Sequence, residues 1–263
     1  MHLLDKDING RRADASGYHV PVSANWSINE IPNGGYLMAL LANTMLQESS
    51  KKRIAILTAA FIGRSSPGDA GVMVEKIAAS TQFERYEARL MQSRTEKVRA
   101  LGTFVDETFV CAVNRHETAS PAVAPLSECV PIPRMPNFTL YDQVEVRLDP
   151  VCSGWMNNHY AEQSEFKGWI RFRDERPYDA VSLLVVADAF PPPVYASQGL
   201  AAWVPTLEMS VNIRKLPTSQ WLKCIFRTRF ITCGLAEEDG EMWDEAGELV
   251  ALSRQIAHYR PFA

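Results

Sequence analysis

The sequence predicts an α+β protein built as two tandem units, each an antiparallel sheet wrapped around one central helix. Three observations carry this. A helix-like run followed by several strand-like runs occurs twice along the chain. A proline-rich stretch separates the two series. The motif Arg64-Ser65-Ser66-Pro67 returns as Arg214-Lys215-Leu216-Pro217, each time at the end of the first long strand after a helix.

The first unit is expected over residues 1–116. Pro32-Asn33-Gly34-Gly35 opens the run YLMALLANTMLQES. Leu37, Leu40, Leu41 and Thr44 share one helical face, and few β-branched residues interrupt the run, so a helix is expected from about 35 to 48. Strands are expected near 54–62, 71–80, 82–92 and 95–106, separated by the turn signals Ser66-Pro67-Gly68-Asp69 and Ser93-Arg94-Thr95.

Residues 117–136 read ETASPAVAPLSECVPIPRMP. Five prolines in this stretch exclude a helix or a central strand, and a connector is expected over 117–150. Proline stiffens such a segment, so it can lie along a surface.

The second unit is expected over 151–263. Phe166, Ile170 and Phe172 alternate with Lys167, Arg171 and Arg173, the mark of a half-buried strand near 165–173. The run AVSLLVVADAF is ambiguous by periodicity alone. Its valines favour a strand, whereas Asp179 as a cap and the triplet Pro191-Pro192-Pro193 favour a short buried helix, the reading adopted. Three long strands are expected near 203–214, 220–233 and 248–259, the last entered through the turn Asp244-Glu245-Ala246-Gly247. A helix wrapped by an antiparallel sheet, used twice in one chain, is the double hot-dog architecture. Pairing the two sheets edge to edge removes two exposed edges.

Composition narrows the function. A net charge of −4 argues against nucleic acid as a partner. No apolar run is long enough to span a bilayer, and the polar, charged start MHLLDKDINGRR shows no signal peptide. The five cysteines (Cys111, Cys129, Cys152, Cys224 and Cys233) are odd in number and lack C-x-x-C spacing, so neither a disulfide framework nor a zinc site is expected, and a reducing, cytoplasmic setting is. The histidines are scattered without metal-ligand spacing, and no metal is expected. Gly63-Arg64-Ser65-Ser66-Pro67 fails the nucleophile elbow at its final glycine, and no phosphate-cradling glycine motif occurs.

Asp188 is the most informative residue. Leu184 lies one turn before it and Val181 two, so its carboxylate is expected to be partly buried. A buried carboxylate needs donors or an elevated pKa, and such groups concentrate at functional sites; the plainer reading is local backbone capping before the prolines. Gln255 shares a strand face with small side chains, where it can hold a water, although a strand glutamine is more often an edge residue. Thr206 offers a hydroxyl at a strand start. Simple alternation opposes it to Leu207, Met209, Val211 and Ile213, so either a bulge re-aims it or the polar face lines the site. The Asn33, Gly34 and Gly35 turn places free backbone N–H groups at a helix start, suited to an oxyanion, or simply makes a tight turn.

Taken in order, NGGYLMALL, FIGRSSPGD and FERYEARLMQ, then VVADA, PTLEMSVNIRKLP and WDEAGELVALSRQIAHYR, resemble the acyl-CoA thioesterase II family across nearly the whole chain. In that family an Asp on the second helix, a Ser or Thr at the start of the next strand and a Gln in the last strand hold the attacking water. The resemblance implies those roles for Asp188, Thr206 and Gln255. Ile56 stands where Thr206 would fall in the first unit, which implies one chemical site per chain. VNIRKLP departs from the aromatic-His-Arg-Pro sequence of better-known members, which bears on substrate rather than reaction type. The resemblance further implies an acyl-CoA substrate, no cofactor and a homodimer or larger homo-oligomer. Lys167, Arg171 and Arg173 are candidates for a cationic rim by charge alone. A non-catalytic acyl-CoA binder and an enoyl-CoA hydratase of the same architecture are the alternatives; no His follows Asp179 or Asp188 at the spacing a hydratase requires.

Overall fold

The computed structural model describes residues 1–14, 17–108, 113 and 115–262. Cys111 lies outside the described residues. The helix of the first unit, α1 (Gly34–Glu48), begins where Asn33 Oδ1 accepts the N–H of Tyr36 at 3.0 Å. Residues from Gly35 to Ala42 are all buried, so α1 is a core helix rather than a surface one. The four strands that follow are β1 (Arg53–Phe61), β2 (Gly71–Ala79), β3 (Phe83–Gln92) and β4 (Thr95–Val105). Each boundary is within a residue of the one the sequence predicts. In the first half of the sheet they run in the order β2-β3-β4-β1, with the short strands Gly17–His19 and Arg11–Asp14 beyond β2.

The second unit contributes β5 (Val144–Leu148), β6 (Glu165–Phe172), α2 (Ala180–Val186), β7 (Thr206–Ile213), β8 (Leu222–Arg227), β9 (Leu235–Trp243) and β10 (Leu249–His258). A reciprocal capping box opens α2: Asp179 Oδ1 accepts from the Ser182 N–H and Ser182 Oγ accepts from the Asp179 N–H, both at 2.8 Å. Every residue of α2 is buried, so the apolar run is the short buried helix expected.

Two differences from the sequence reading are informative. The stretch expected as connector is not all connector, because β5 falls inside it, pairs with β6 and receives Val130–Pro131 on its other side. A strand was also missed: β9 lies between β8 and β10, in a segment with the acidic run EEDGE for which no strand is expected. Its inward face carries Ala236, Gly240 and Met242, a period-2 pattern made faint by two small residues.

The halves join edge to edge. β1 and β7 pair antiparallel with Ala59 opposite Met209 and Thr58 opposite Ser210, whose hydroxyls lie 2.9 Å apart. By the correspondence of Arg64 with Arg214, Ala59 and Met209 are equivalent positions, so the internal two-fold passes between them. Among the described residues the result is one fourteen-stranded sheet of double hot-dog form, with α1 and α2 packed against each other inside it. Among the described residues no helix is long and apolar enough to cross a membrane.

Candidate active site

Asp188 lies two residues beyond the end of α2, and the start of α1 meets it there. Asn33 Nδ2 donates to Asp188 Oδ2 at 2.8 Å and to the Asp188 carbonyl at 2.7 Å, while the Gly35 N–H donates to Oδ2 at 2.9 Å. Asn33 therefore works with both ends of its amide: the carbonyl caps α1 and the NH₂ holds Asp188. Desolvation pushes the Asp188 carboxyl up to about 6, against the opposing pull of the Gly35 and Gly34 amides and the Asn33 side chain. Tyr141 is buried close enough that the Asp188 charge, after burial itself, raises its phenol.

Both glycines are dictated by space. A Cβ on Gly35 would sit 2.3 Å from the Leu184 carbonyl oxygen, and one on Gly34 would sit 2.9 Å from both Asp188 Oδ2 and Phe61. The Gly35 amide, expected to be free for an oxyanion, is engaged by Asp188 instead. The physical reason is that a partly desolvated carboxylate at a helix N-terminus takes the nearest donors.

Thr206 and Gln255 meet directly: Thr206 Oγ1 donates to Gln255 Oε1 at 2.8 Å. The bulge anticipated as one of two possibilities is present. Thr206 is opposite Ala257 and Glu208 opposite Ile256, so Leu207 is extra. That residue turns outward, 40% exposed, and Thr206 falls on the inward face with Met209 and Gln255. Gln255 is itself only 8% exposed.

One residue of this cluster was not foreseen. Glu238 on β9 lies directly across from Gln255 on the same face of the sheet, and it feels the Asp188 charge. Burial first, then Asp188, drives its carboxyl well above the ordinary range. The row of residues crossing the sheet here runs Ala88, Ala100, Ala59, Met209, Gln255, Glu238, so two polar side chains end an otherwise apolar line. The missed strand hid the missed residue; a lone Glu between Ala236 and Gly240 on one face was the available signal. Asp188 thus sits at the start of α1, Thr206 and Gln255 form a hydrogen-bonded pair, and Glu238 opposite Gln255 is near enough to Asp188 to feel its charge.

The three cations that charge alone suggested for a rim each have partners within the fold. Arg171 bonds Glu145 and stacks on Trp221, Arg173 Nε donates to the Tyr141 and Val144 carbonyls, and Lys167 donates to the Ala122 carbonyl. Two surface clefts, of about 380 and 850 Å³, lie away from the cluster, the larger between Arg53, Ile56, Arg214 and Trp243 on the seam. Among the described residues no group of three or more His, Cys, Asp or Glu side chains is arranged to hold a metal ion, and Cys129, Cys152, Cys224 and Cys233 are free thiols.

Comparison with known proteins agrees with this architecture. An uncharacterized protein of Mycobacterium tuberculosis is 24% identical over 261 residues, covering 90% of this chain and 88% of its own length. A hot-dog-fold protein of unknown function from Alicyclobacillus acidocaldarius superposes with a TM-score of 0.90 at 18% identity over the full length of both chains. An acyl-CoA thioesterase II from Mycobacterium marinum superposes with a TM-score of 0.77 at 16% identity over 99% of each. At such identities the superpositions speak for the fold alone. The sequence itself matches the acyl-CoA thioesterase N-terminal domain over residues 22–105 and the acyl-CoA thioesterase C-terminal domain over residues 126–259. With both halves matched in order and over most of its length, the chain belongs to the acyl-CoA thioesterase family.

Proposed function

We propose that the protein hydrolyses an acyl-CoA thioester to free acid and CoA by direct attack of water, without a covalent intermediate. What supports this is Asp188 held at the N-terminal end of α1 together with the Thr206–Gln255 hydrogen bond, whose cross-strand neighbour Glu238 feels the Asp188 charge. A carboxyl held near 6 is ionised at neutral pH yet basic enough to take a proton from water. Thr206 and Gln255 orient that water. The positive end of α1 favours the oxyanion developing on the carbonyl. Thiolate then leaves.

Thiol release across a panel of acyl-CoAs of different length tests the reading. Release supports it; binding without turnover indicates a non-catalytic acyl-CoA binder, and hydration without release a hydratase. Asp188→Ala should lower turnover by roughly 10²–10⁴-fold, the usual worth of a positioned base. Unchanged turnover in that variant overturns the proposal.

A further inference from the structure

The hydrolytic reading assigns no task to Glu238, although it is the second carboxyl of the cluster. Its position is set by the sheet: β9 and β10 place it opposite Gln255, and the flanking inward residues Ala236, Gly240 and Met242 are small or apolar. Gly240 has no room for a side chain, since a Cβ would lie 2.3 Å from Ser253 Oγ, so the strand is held close at this point. The charged neighbours on its own strand, Glu237 and Asp239, are met by Arg229 and Arg254. Asp188, at the end of α2, is near enough for its charge to act on Glu238.

The Gln255 amide has one acceptor end and one donor end. Its carbonyl accepts from Thr206, which leaves the NH₂ as the end available to Glu238 directly across the sheet. We propose that Glu238 is a positioning residue of the hydrolytic site: by accepting the Gln255 NH₂ it locks the amide so that its carbonyl takes the Thr206 hydroxyl proton. The Thr206 oxygen is then left with lone pairs only. A water between it and Asp188 meets two acceptors, donates both protons, and keeps a lone pair for the carbonyl carbon. Were the amide free to turn over, its NH₂ would donate to Thr206, whose hydroxyl proton would then point at the water and draw on the lone pair needed for attack. Glu238 retains an accepting carbonyl oxygen whether or not it holds a proton, so the lock does not depend on its charge.

This inference rests on the thioesterase reading, and the test separates the two. Steady-state thiol release is measured for the wild type, Glu238→Gln, Glu238→Leu, Gln255→Ala and the double variant Glu238→Leu/Gln255→Ala. Glu238→Gln keeps an acceptor in place and should hold kcat within about threefold of wild type. Glu238→Leu leaves the amide unheld and should lower kcat about tenfold or more with KM unchanged. In the Gln255→Ala background the same Leu substitution should do nothing further, because its effect passes through Gln255. Full activity in Glu238→Leu, an undiminished effect of Leu without Gln255, or a loss in Glu238→Gln as large as that of Gln255→Ala overturns the positioning role and leaves the hydrolase intact. The Glu238→Gln comparison decides by itself if the Leu variant does not fold. A wild-type chain that releases no thiol overturns both.

Discussion

The buried Asp188 carboxyl costs the folded chain stability. Its carboxyl titrates near 6 in the fold, above the value of about 3.9 expected for an unfolded chain. Between those values the folded chain holds a proton that the unfolded chain has already released, so its contribution is fully present below about pH 4 and is lost as the pH rises through 6. Asp188→Asn, which stays neutral and can still accept from Asn33 and Gly35, should therefore be more stable than wild type above pH 6, by roughly 1–3 kcal/mol. Urea midpoints at pH 4 and pH 7.5 check this: the gain should appear only at the higher pH. Asn33 acts in the opposite sense, because it donates to the ionised carboxylate. Asn33→Ala should shift the acid limb of the kcat/KM profile above 6 and, by uncapping α1, remove about 1 kcal/mol of stability. An acid limb that stays in place would show that Asp188 is not the titrating base.

At the scale of elements, the decisive contact is the start of α1 against the end of α2. Gly35 brings the two backbones together, and the predicted Cβ overlap with the Leu184 carbonyl leaves no rotamer to relieve it. Gly35→Ala should destabilise by roughly 1–3 kcal/mol and move Asp188 off the α1 amides, so thermal midpoint and turnover should fall together. The elements themselves were largely legible. α1 announced itself by an unbroken helical apolar face, and β1 to β4 by alternation between turn signals. α2 could be read as a helix only because Asp179 and the proline triplet bounded a run that periodicity left open. β9 was not legible, since its acidic outward face and small inward residues give almost no apolar alternation, and with it went Glu238.

For the whole molecule, the seam between β1 and β7 makes two repeats into one body. Met209 is 1% exposed at the point where both halves meet, facing Ala59 on one side and Gln255 on the other. Met209→Ala should cost about 2–5 kcal/mol, as for other large-to-small changes in a core. Because the site is assembled from both halves, with Asn33 and Gly35 from the first and the acids from the second, unfolding should be a single transition followed alike by tryptophan fluorescence and by loss of activity. Two separated transitions would show that the seam does not couple the units.

The sequence by itself determined the duplicated α+β plan and the family resemblance, through which Asp188, Thr206 and Gln255 are singled out. These follow from local quantities: the period of apolar residues, the placement of prolines and glycines, and motif order. Tertiary structure alone decided where the polar groups point and what they touch. Whether Thr206 faces inward depends on one extra residue in a ladder; whether the Gly35 amide is free depends on a carboxylate more than a hundred and fifty positions away. Register and long-range hydrogen bonding are properties of pairs of segments, and no single segment encodes them.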